Sequence, residues 1–176
     1  MIFTETALDG AYLIKPEPIE DERGHFARVF CKNEFLEHGL NTTWVQCNTS
    51  FNRIKGTVRG MHFQVAPGAE TKTVSCMRGE IYDVIVDLRD DSPSRGQWYG
   101  CRLSEDNQHV LYIPEGCAHG FQTLTDKASV FYQMSQFYVP ECARGVRWDD
   151  PAFNIRWPLA VASISARDLG FPSFVP

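Results

Sequence analysis

The chain has 176 residues, of which 43% are hydrophobic and 22% charged, a composition typical of one soluble globular domain over residues 1–176. The net charge of −5 argues against a general nucleic-acid binder, since phosphate backbones require a broad excess of Lys and Arg, but it leaves a nucleotide ligand open. No apolar run approaches the ~20 residues of a membrane helix, and residues 1–10 lack the basic head and apolar core of a signal peptide. We therefore expect neither nucleic acid nor membrane as a partner.

The six cysteines are scattered singly and form no C-x-x-C pair. A domain of this length does not need disulfide bonds to hold its core together. We therefore interpret the cysteines as reduced thiols that pack as small apolar groups. This usage predicts a cytoplasmic protein.

The dominant pattern along the chain is a short strand followed by a turn. Runs rich in Val, Ile, Phe, Tyr, Trp and Thr predict about ten strands. In chain order they are expected at residues 11–14, 25–30, 43–48, 57–64, 71–77, 80–88, 97–103, 109–113, 120–124 and 130–138. Residues 32–38 predict a helix that ends before Gly39, and residues 165–169 predict one further helical turn.

This succession of strands contains no βαβ alternation, no repeat of fixed period and no linker. Short strands with close turns are typical of a sandwich or a closed barrel. The sequence therefore predicts one all-β domain with a few short helices.

The strand predicted at residues 80–88 places two carboxylates among apolar side chains. A carboxylate in such a strand either faces solvent or lines a polar cavity, because burial without a partner is costly. Asp87 lies next to Arg89, which favours a surface position or an ion pair. For Asp83, a surface position and a cavity position remain equally compatible with the pattern.

Two polar segments concentrate the chemistry of the chain. The first is R-G-M-H-F-Q at residues 59–64, followed by Glu70 and Lys72, and the second is P-E-G-C-A-H-G-F at residues 114–121. Together they resemble the paired motifs of the cupin superfamily of β-barrels, an H-x-H strand followed by an acid and then P-x-G-x-x-H. In metal-binding cupins both histidines of H-x-H point the same way from one strand.

The chain departs from that pattern at Gln64, which replaces the second histidine of H-x-H. His62, His119 and Glu70 are then the remaining good ligands, and the charge of Lys72 repels a divalent cation. The sequence therefore predicts no metal ion and favours an acid–base site.

A more specific resemblance follows from motifs spread over most of the chain. The sequence resembles the dTDP-4-dehydrorhamnose 3,5-epimerase family. The motifs, whose order and spacing carry this resemblance, are D-E-R-G-H-F (21–26), V-Q-C-N-T-S (45–50), K-G-T-V-R-G-M-H-F-Q (55–64), Lys72, G-E-I-Y-D-V-I-V-D-L-R (79–89), S-P (92–93), L-S-E-D-N (103–107), I-P-E-G-C-A-H-G-F (113–121), Tyr132, W-D-D-P (148–151), W-P (157–158) and I-S-A-R-D (164–168).

The resemblance implies a cupin-like jelly-roll barrel, a homodimer in which N-terminal strands cross to the partner, and no cofactor. The implied substrate is a nucleoside-diphosphate 4-keto-6-deoxy sugar. A carbon beside the keto group is deprotonated and then reprotonated on the opposite face.

This reaction requires a base, an electrophile for the developing enolate oxygen, and a proton donor on the far face of the ring. Imidazole titrates near neutrality, which suits His62 as the base. The resemblance implies that Asp168 orients His62, that Lys72 is the electrophile at the keto oxygen, and that Tyr132 is the proton donor. Tyr138 is a rival donor that falls outside the motif position.

The resemblance also implies a set of substrate-binding residues. Guanidinium groups suit diphosphate oxygens, and Arg23 and Phe26 are expected to reach the neighbouring subunit. The predicted substrate-binding residues are Arg23, Phe26, Arg28, Gln46, Asn48, Arg59, Asp83, His119 and Arg167.

Arg28 stands where the family often carries Glu on the nucleotide side, and Thr57 and Glu70 also differ from the usual pattern. The nucleotide (dTDP, CDP or GDP), the inverted centre (C3, C5 or both) and the pathway, O-antigen or another, therefore stay open. Alternative functions are a sugar-nucleotide 3,4-ketoisomerase, a metal-dependent cupin oxygenase and a non-catalytic sugar-binding module.

Overall fold

The protein was analysed as a computed structural model, which describes residues 1–175. Its strands are β1 (Ile2–Glu5), β2 (Tyr12–Lys15), β3 (Ile19–Asp21), β4 (Gly24–Phe26), β5 (Gln46–Asn52), β6 (Val58–Gln64), β7 (Lys72–Arg78), β8 (Glu80–Asp87), β9 (Trp98–Ser104), β10 (Val110–Ile113), β11 (Cys117–Thr123), β12 (Ala128–Met134) and β13 (Ala143–Gly145). Its helices are α1 (Lys32–Glu37) and α2 (Ala166–Leu169), with one 3₁₀ turn at Pro140–Cys142.

Two antiparallel sheets face each other and form the body of the domain. One has the strand order β1-β2-β10-β7-β12-β5 and the other β13-β6-β11-β8-β9, while β3 and β4 form a separate hairpin. Because side chains alternate along each strand, one face of each sheet supplies the core between them. Val74 and Val130 of the first sheet pack there with Ile81, Ile85 and Phe121 of the second. This architecture confirms the predicted all-β jelly roll.

The outer face of each sheet is also covered. Phe35 of α1 packs with Ile14 and Val110 on the six-stranded sheet. The C-terminal segment brings Phe153 against Met61 and Val84 on the five-stranded sheet. Neither helix within residues 1–175 has the length and apolarity that a membrane crossing needs.

Several strand boundaries differ from the sequence prediction for reasons of pairing. The strand expected at residues 25–30 ends at Phe26, because Phe30 turns back to pack its ring 4.9 Å from that of Phe35. β5 is displaced from 43–48 to Gln46–Asn52 by its pairing with the whole of β12. β11 begins at Cys117 because it pairs with β8 from Asp87 onward. The sequence does not predict β1, β3 or β13.

A buried polar cluster joins β8 to the following loop. The Asp87 side chain is 0% exposed and accepts hydrogen bonds from Arg89 Nε (2.9 Å), Arg89 Nη2 (2.6 Å) and Ser94 Oγ (2.7 Å). Burial raises the pKa of Asp87, but the hydrogen bonds from Arg89, Ser92 and Ser94 outweigh burial and hold its pKa well below the usual range.

This cluster makes the folded state sensitive to acid. Because the pKa of Asp87 is lower in the folded than in the unfolded chain, its stabilisation is complete above the unfolded value, about 4, and is lost as the pH falls through the folded pKa. We expect Asp87→Asn to lower the free energy of unfolding at pH 7. The difference from the wild type should shrink towards pH 2 in urea titrations. A difference that is constant over this range would contradict the assignment.

Candidate active site

A cavity of about 270 Å³ opens at one end of the sandwich, between the two sheets. Strands β5, β7 and β12 contribute one wall, and β6 and β11 contribute the other. The cavity brings together most of the predicted site residues: Asn48, Arg59, His62, Lys72, His119, Tyr132 and Arg167. A larger cavity, of about 450 Å³, lies elsewhere, against the β3–β4 hairpin, and contains none of the predicted catalytic residues.

An irregularity in β6 places Arg59 and His62 on the same wall. The register of β6 against β11 shifts between the pairs Phe121–Arg59 and His119–His62, so side chains three positions apart both face the cavity. Gly60 lies inside this irregularity with φ +126°, and a Cβ there would come within 2.5 Å of Gly120 Cα. The positive φ and the close approach of Gly120 each require glycine at position 60.

His62 and Asp168 form a hydrogen-bonded pair at the cavity wall. His62 Nε2 lies 2.7 Å from Asp168 Oδ1, and the Gly60 N–H donates to Asp168 Oδ2 at 3.2 Å. Burial raises the pKa of Asp168, but the hydrogen bonds from His62 and Gly60 outweigh it, so the pKa lies below its usual value. Asp168 is therefore a carboxylate and His62 Nε2–H is the donor, so in the neutral imidazole the lone pair lies on Nδ1.

Helix α2 carries Asp168 to this position. The helix begins after Ser165, whose hydroxyl accepts a hydrogen bond from the Asp168 N–H at 3.0 Å. The Asp168 side chain is only 5% exposed, whereas that of His62 is 42% exposed and faces the opening. A buried carboxylate thus fixes an accessible imidazole.

Lys72 and Glu70 form a second pair deeper in the cavity. Lys72 Nζ lies 2.7 Å from Glu70 Oε1, and both side chains are 5% exposed. Gln64 Nε2 donates to Glu70 Oε2 at 3.2 Å, while Gln64 Oε1 accepts from the Val139 N–H at 2.7 Å. Gln64, which stands where metal-binding cupins carry a histidine, therefore positions the Glu70 carboxylate. That carboxylate in turn pairs with the Lys72 ammonium group.

His119 and Asp83 form a third pair, with His119 Nε2 2.7 Å from Asp83 Oδ1. Burial raises the pKa of Asp83, partly offset by His119 and Lys72. The structure thus buries Asp83 completely behind His119 rather than placing it at the surface, and Asp83 is not among the residues that line the cavity. Within residues 1–175, no group of three or more His, Cys, Asp or Glu side chains is arranged to hold a metal ion.

The mouth of the cavity is basic, because the exposed side chains of Arg59 and Arg167 line it. Gln46 lies beside the mouth, where its Oε1 accepts from the Tyr138 N–H at 3.2 Å. Such a distribution, cations at the opening and an acid–base set inside, suits a phosphorylated ligand whose reacting end enters first.

Of the predicted residues that do not line the cavity, Gln46, Asp83 and Asp168 lie beside it, whereas three lie on or next to the β3–β4 hairpin. Arg23 pairs with Asp21 on the exposed hairpin, Phe26 is 74% exposed, and Arg28 Nη1 lies 2.9 Å from Glu34 Oε1. Their roles as ligand contacts stay predictions that require a second subunit.

Arg144 and Ser50 line the cavity without having been assigned a role, and Tyr138, named above as a rival donor, lines it as well. Ser50 could have been found from the period-2 alternation of β5, which turns it to the same side as Asn48. Tyr138 lies in irregular chain after β12, and Arg144 lies on the three-residue edge strand β13. Neither segment is long enough for a periodic pattern to show which way the side chain points.

A family profile described as dTDP-4-dehydrorhamnose 3,5-epimerase matches residues 5–175. The chain belongs to this family. A dTDP-4-dehydrorhamnose 3,5-epimerase from Methanothermobacter thermautotrophicus is 45% identical over 94% of this chain and 90% of its own length.

Solved structures agree with this assignment. The enzyme of that name from Elizabethkingia anophelis superposes with a TM-score of 0.95 at 38% identity, over 99% of this chain and 96% of its own. The one from Bacillus anthracis, solved with TDP and PPi bound, gives 0.94 at 40% identity, over 98% and 99%. The fold is therefore cupin-like, and the protein is an isomerase of the epimerase type, as predicted from its motifs.

Proposed function

We propose that this epimerase inverts C3, C5 or both in a nucleoside-diphosphate 4-keto-6-deoxy sugar, most simply a dTDP-linked one. The observation that carries the proposal is the convergence of His62 and Lys72 on one cavity whose mouth is basic. A ketone with its oxygen at Lys72 Nζ has its neighbouring carbon within the same small cavity as His62. Relatives named for this reaction, one with TDP bound, support the choice of substrate.

In the proposed reaction, His62 Nδ1 removes the hydrogen beside the ketone, and the electron pair moves onto the carbonyl oxygen. The Lys72 ammonium group stabilises that oxygen as charge develops. Tyr132 then delivers its phenolic proton to the opposite face of the same carbon, which inverts the centre. Asp168 holds the His62 tautomer and stabilises the imidazolium.

Incubation with dTDP-4-keto-6-deoxyglucose in deuterated water is expected to introduce deuterium at C3 or C5, observed by NMR. CDP- and GDP-linked forms of the same sugar are tested in parallel. The form that exchanges fastest identifies the nucleotide, which the Arg28 position leaves open. Movement of the carbonyl from C4 to C3 in the product would favour the ketoisomerase. Absence of exchange with all of these substrates would remove the epimerase proposal.

We also propose that the active form is a homodimer that exchanges the β3–β4 hairpin. All six strand residues of this hairpin are exposed in the single chain, with Ile19 at 72% and Phe26 at 74%. The adjacent cavity is lined by apolar side chains that include Met77 and Phe131. Burial of these groups against a second copy is favourable and brings Arg23 to the partner.

Met77→Glu is expected to shift the protein from dimer to monomer, measured by light scattering at micromolar concentration. Met77 is 64% exposed in the single chain, and a charge there opposes burial. Leu36→Glu, at a 55% exposed position on α1, is the matched control and should leave the dimer intact. A wild-type protein that is monomeric would refute the exchange.

The free thiols of all six cysteines support a reducing, cytoplasmic location.

A further inference from the structure

A row of hydrogen-bonded side chains runs along the cavity wall from Arg59 to Tyr132. Arg59 Nε donates to Asn52 Oδ1 at 2.6 Å, and Asn52 Nδ2 donates to Ser50 Oγ at 3.4 Å. Ser50 Oγ in turn lies 3.2 Å from Tyr132 Oη. Ser50 and Asn52 lie two positions apart and therefore on the same face of β5. This strand pairs with β12, which carries Tyr132. The row therefore follows from strand geometry.

The chemistry of Arg59 determines the direction of the first two hydrogen bonds in this row. A guanidinium N–H can only donate, so the oxygen of the Asn52 amide must face Arg59. The Asn52 amide nitrogen then faces Ser50 and also the Ala128 carbonyl, 3.3 Å away. Asn52 is 2% exposed, which leaves it little room to turn. Ser50 Oγ therefore accepts from Asn52, and its single O–H is free to donate to Tyr132 Oη.

This direction matters for an acid, because a phenol has only one hydrogen. If Tyr132 donated to Ser50, that hydrogen would point along the wall. If Ser50 donates instead, the phenolic hydrogen stays available to the cavity. After transfer, the same Ser50 O–H faces a phenolate oxygen, and a hydrogen bond to a charged acceptor is stronger than one to a neutral acceptor.

We propose that Ser50 is a positioning residue for Tyr132: held by Asn52 and Arg59, its hydroxyl directs the phenolic proton into the cavity and stabilises the phenolate that remains. The inference rests on the proposed function. In the step it serves, the Tyr132 O–H bond breaks with its electron pair kept on oxygen, and a C–H bond forms at the enolate carbon. Water later returns a proton to the phenolate.

The surroundings of Tyr132 fit this role. Burial raises the pKa of Tyr132 above its ordinary value, whereas the hydrogen bond from Ser50 and the positive charge of Arg59 lower it. Ser50 therefore counteracts the burial that would otherwise hold the proton on the phenol.

Ser50→Ala tests the proposal by separating deprotonation from inversion. His62 still removes the proton, so deuterium exchange into recovered substrate should stay within about twofold of the wild type. Formation of inverted product in single turnovers should fall about 10- to 100-fold, the effect of one hydrogen bond to a charged group. Tyr132→Phe removes the phenolic proton and should exchange without inverting, which sets the lower limit for the rate of inversion. Ser50→Thr keeps the hydroxyl and should restore the wild-type ratio.

Asn52→Asp provides a near-isosteric test. The carboxylate accepts from both Arg59 and Ser50, which turns the Ser50 O–H away from Tyr132 and makes its oxygen accept the phenolic hydrogen. Inversion should again fall relative to exchange, although every heavy-atom position of the row is retained. This variant decides the question if Ser50→Ala does not fold, as judged by its melting temperature.

Ser129→Ala is the control, because Ser129 lies on β12 with its side chain on the opposite face from Tyr132. It should leave both rates unchanged. An unchanged ratio of inversion to exchange in Ser50→Ala and Asn52→Asp, or an equal loss of both rates, would overturn the role of Ser50 while leaving the epimerase in place. A wild type that neither exchanges nor inverts would instead overturn the proposed function, and the role of Ser50 with it.

Discussion

Replacement of His62 by Ala is expected to lower the rate of deuterium exchange at C3 or C5 by about 10²- to 10⁴-fold, the usual contribution of a positioned general base. His62 Nε2–H donates to Asp168 Oδ1 at 2.7 Å, so Nδ1 is the nitrogen that accepts the substrate proton. Removal of the imidazole leaves the buried Asp168 carboxylate without its donor and removes the nitrogen that accepts the substrate proton. Exchange is measured by NMR at saturating substrate.

His109→Ala is the matched control, because His109 directly precedes β10 and lies outside the cavity. It should exchange at the wild-type rate. His62→Ala should still bind the nucleoside diphosphate, since the basic groups at the mouth are unchanged. Exchange within tenfold of the wild type in His62→Ala would assign the base to another group, with His119 the nearest candidate.

Replacement of Lys72 by Met is expected to affect both catalysis and stability. Loss of the donor at the enolate oxygen should lower the turnover rate by about 10²- to 10³-fold. The same change leaves Glu70, whose side chain is 5% exposed, as a buried charge without its cation. Breaking a buried ion pair in this way costs about 3–5 kcal/mol, measured as the free energy of unfolding in urea.

A double variant separates these two effects. Lys72→Met combined with Glu70→Gln removes both charges and should recover most of the lost stability, because the amide introduced by Glu70→Gln can keep a hydrogen bond with Gln64. Turnover should stay as low as in Lys72→Met alone. Lys32→Met, on the exposed surface of α1, is the control for loss of one lysine charge. Recovery of turnover in the double variant would show that Lys72 serves the fold rather than the substrate.

The fold was predictable because its signals are local. Period-2 alternation, β-branched residues and turn glycines identify most strands, and the alternation alone puts Lys72 on the face of β7 that carries the buried Val74 and Cys76. Strand ends were less predictable, since they depend on partners far along the chain. β5 is an example, because β12 determines where it begins and ends.

The site was predictable only in part. The placement of Arg59 beside His62 depends on a register shift between β6 and β11, which no pattern within residues 59–62 reveals. The role predicted for Asp168 came from family resemblance, because a contact across so many residues has no local signal. Arg23 and Phe26 lie on a hairpin outside the cavity, so their predicted contacts depend on a neighbouring subunit.

The two members of the His62–Asp168 pair are separated by 106 positions, and the second arrives on the last helix of the described chain. Every strand of the barrel precedes that helix. A ribosome therefore finishes the whole sandwich before the imidazole meets its carboxylate. Cleavage directly before α2 would remove this pairing while every strand stays in the chain, so antibody detection of the strands would overstate the amount of competent enzyme in such a preparation.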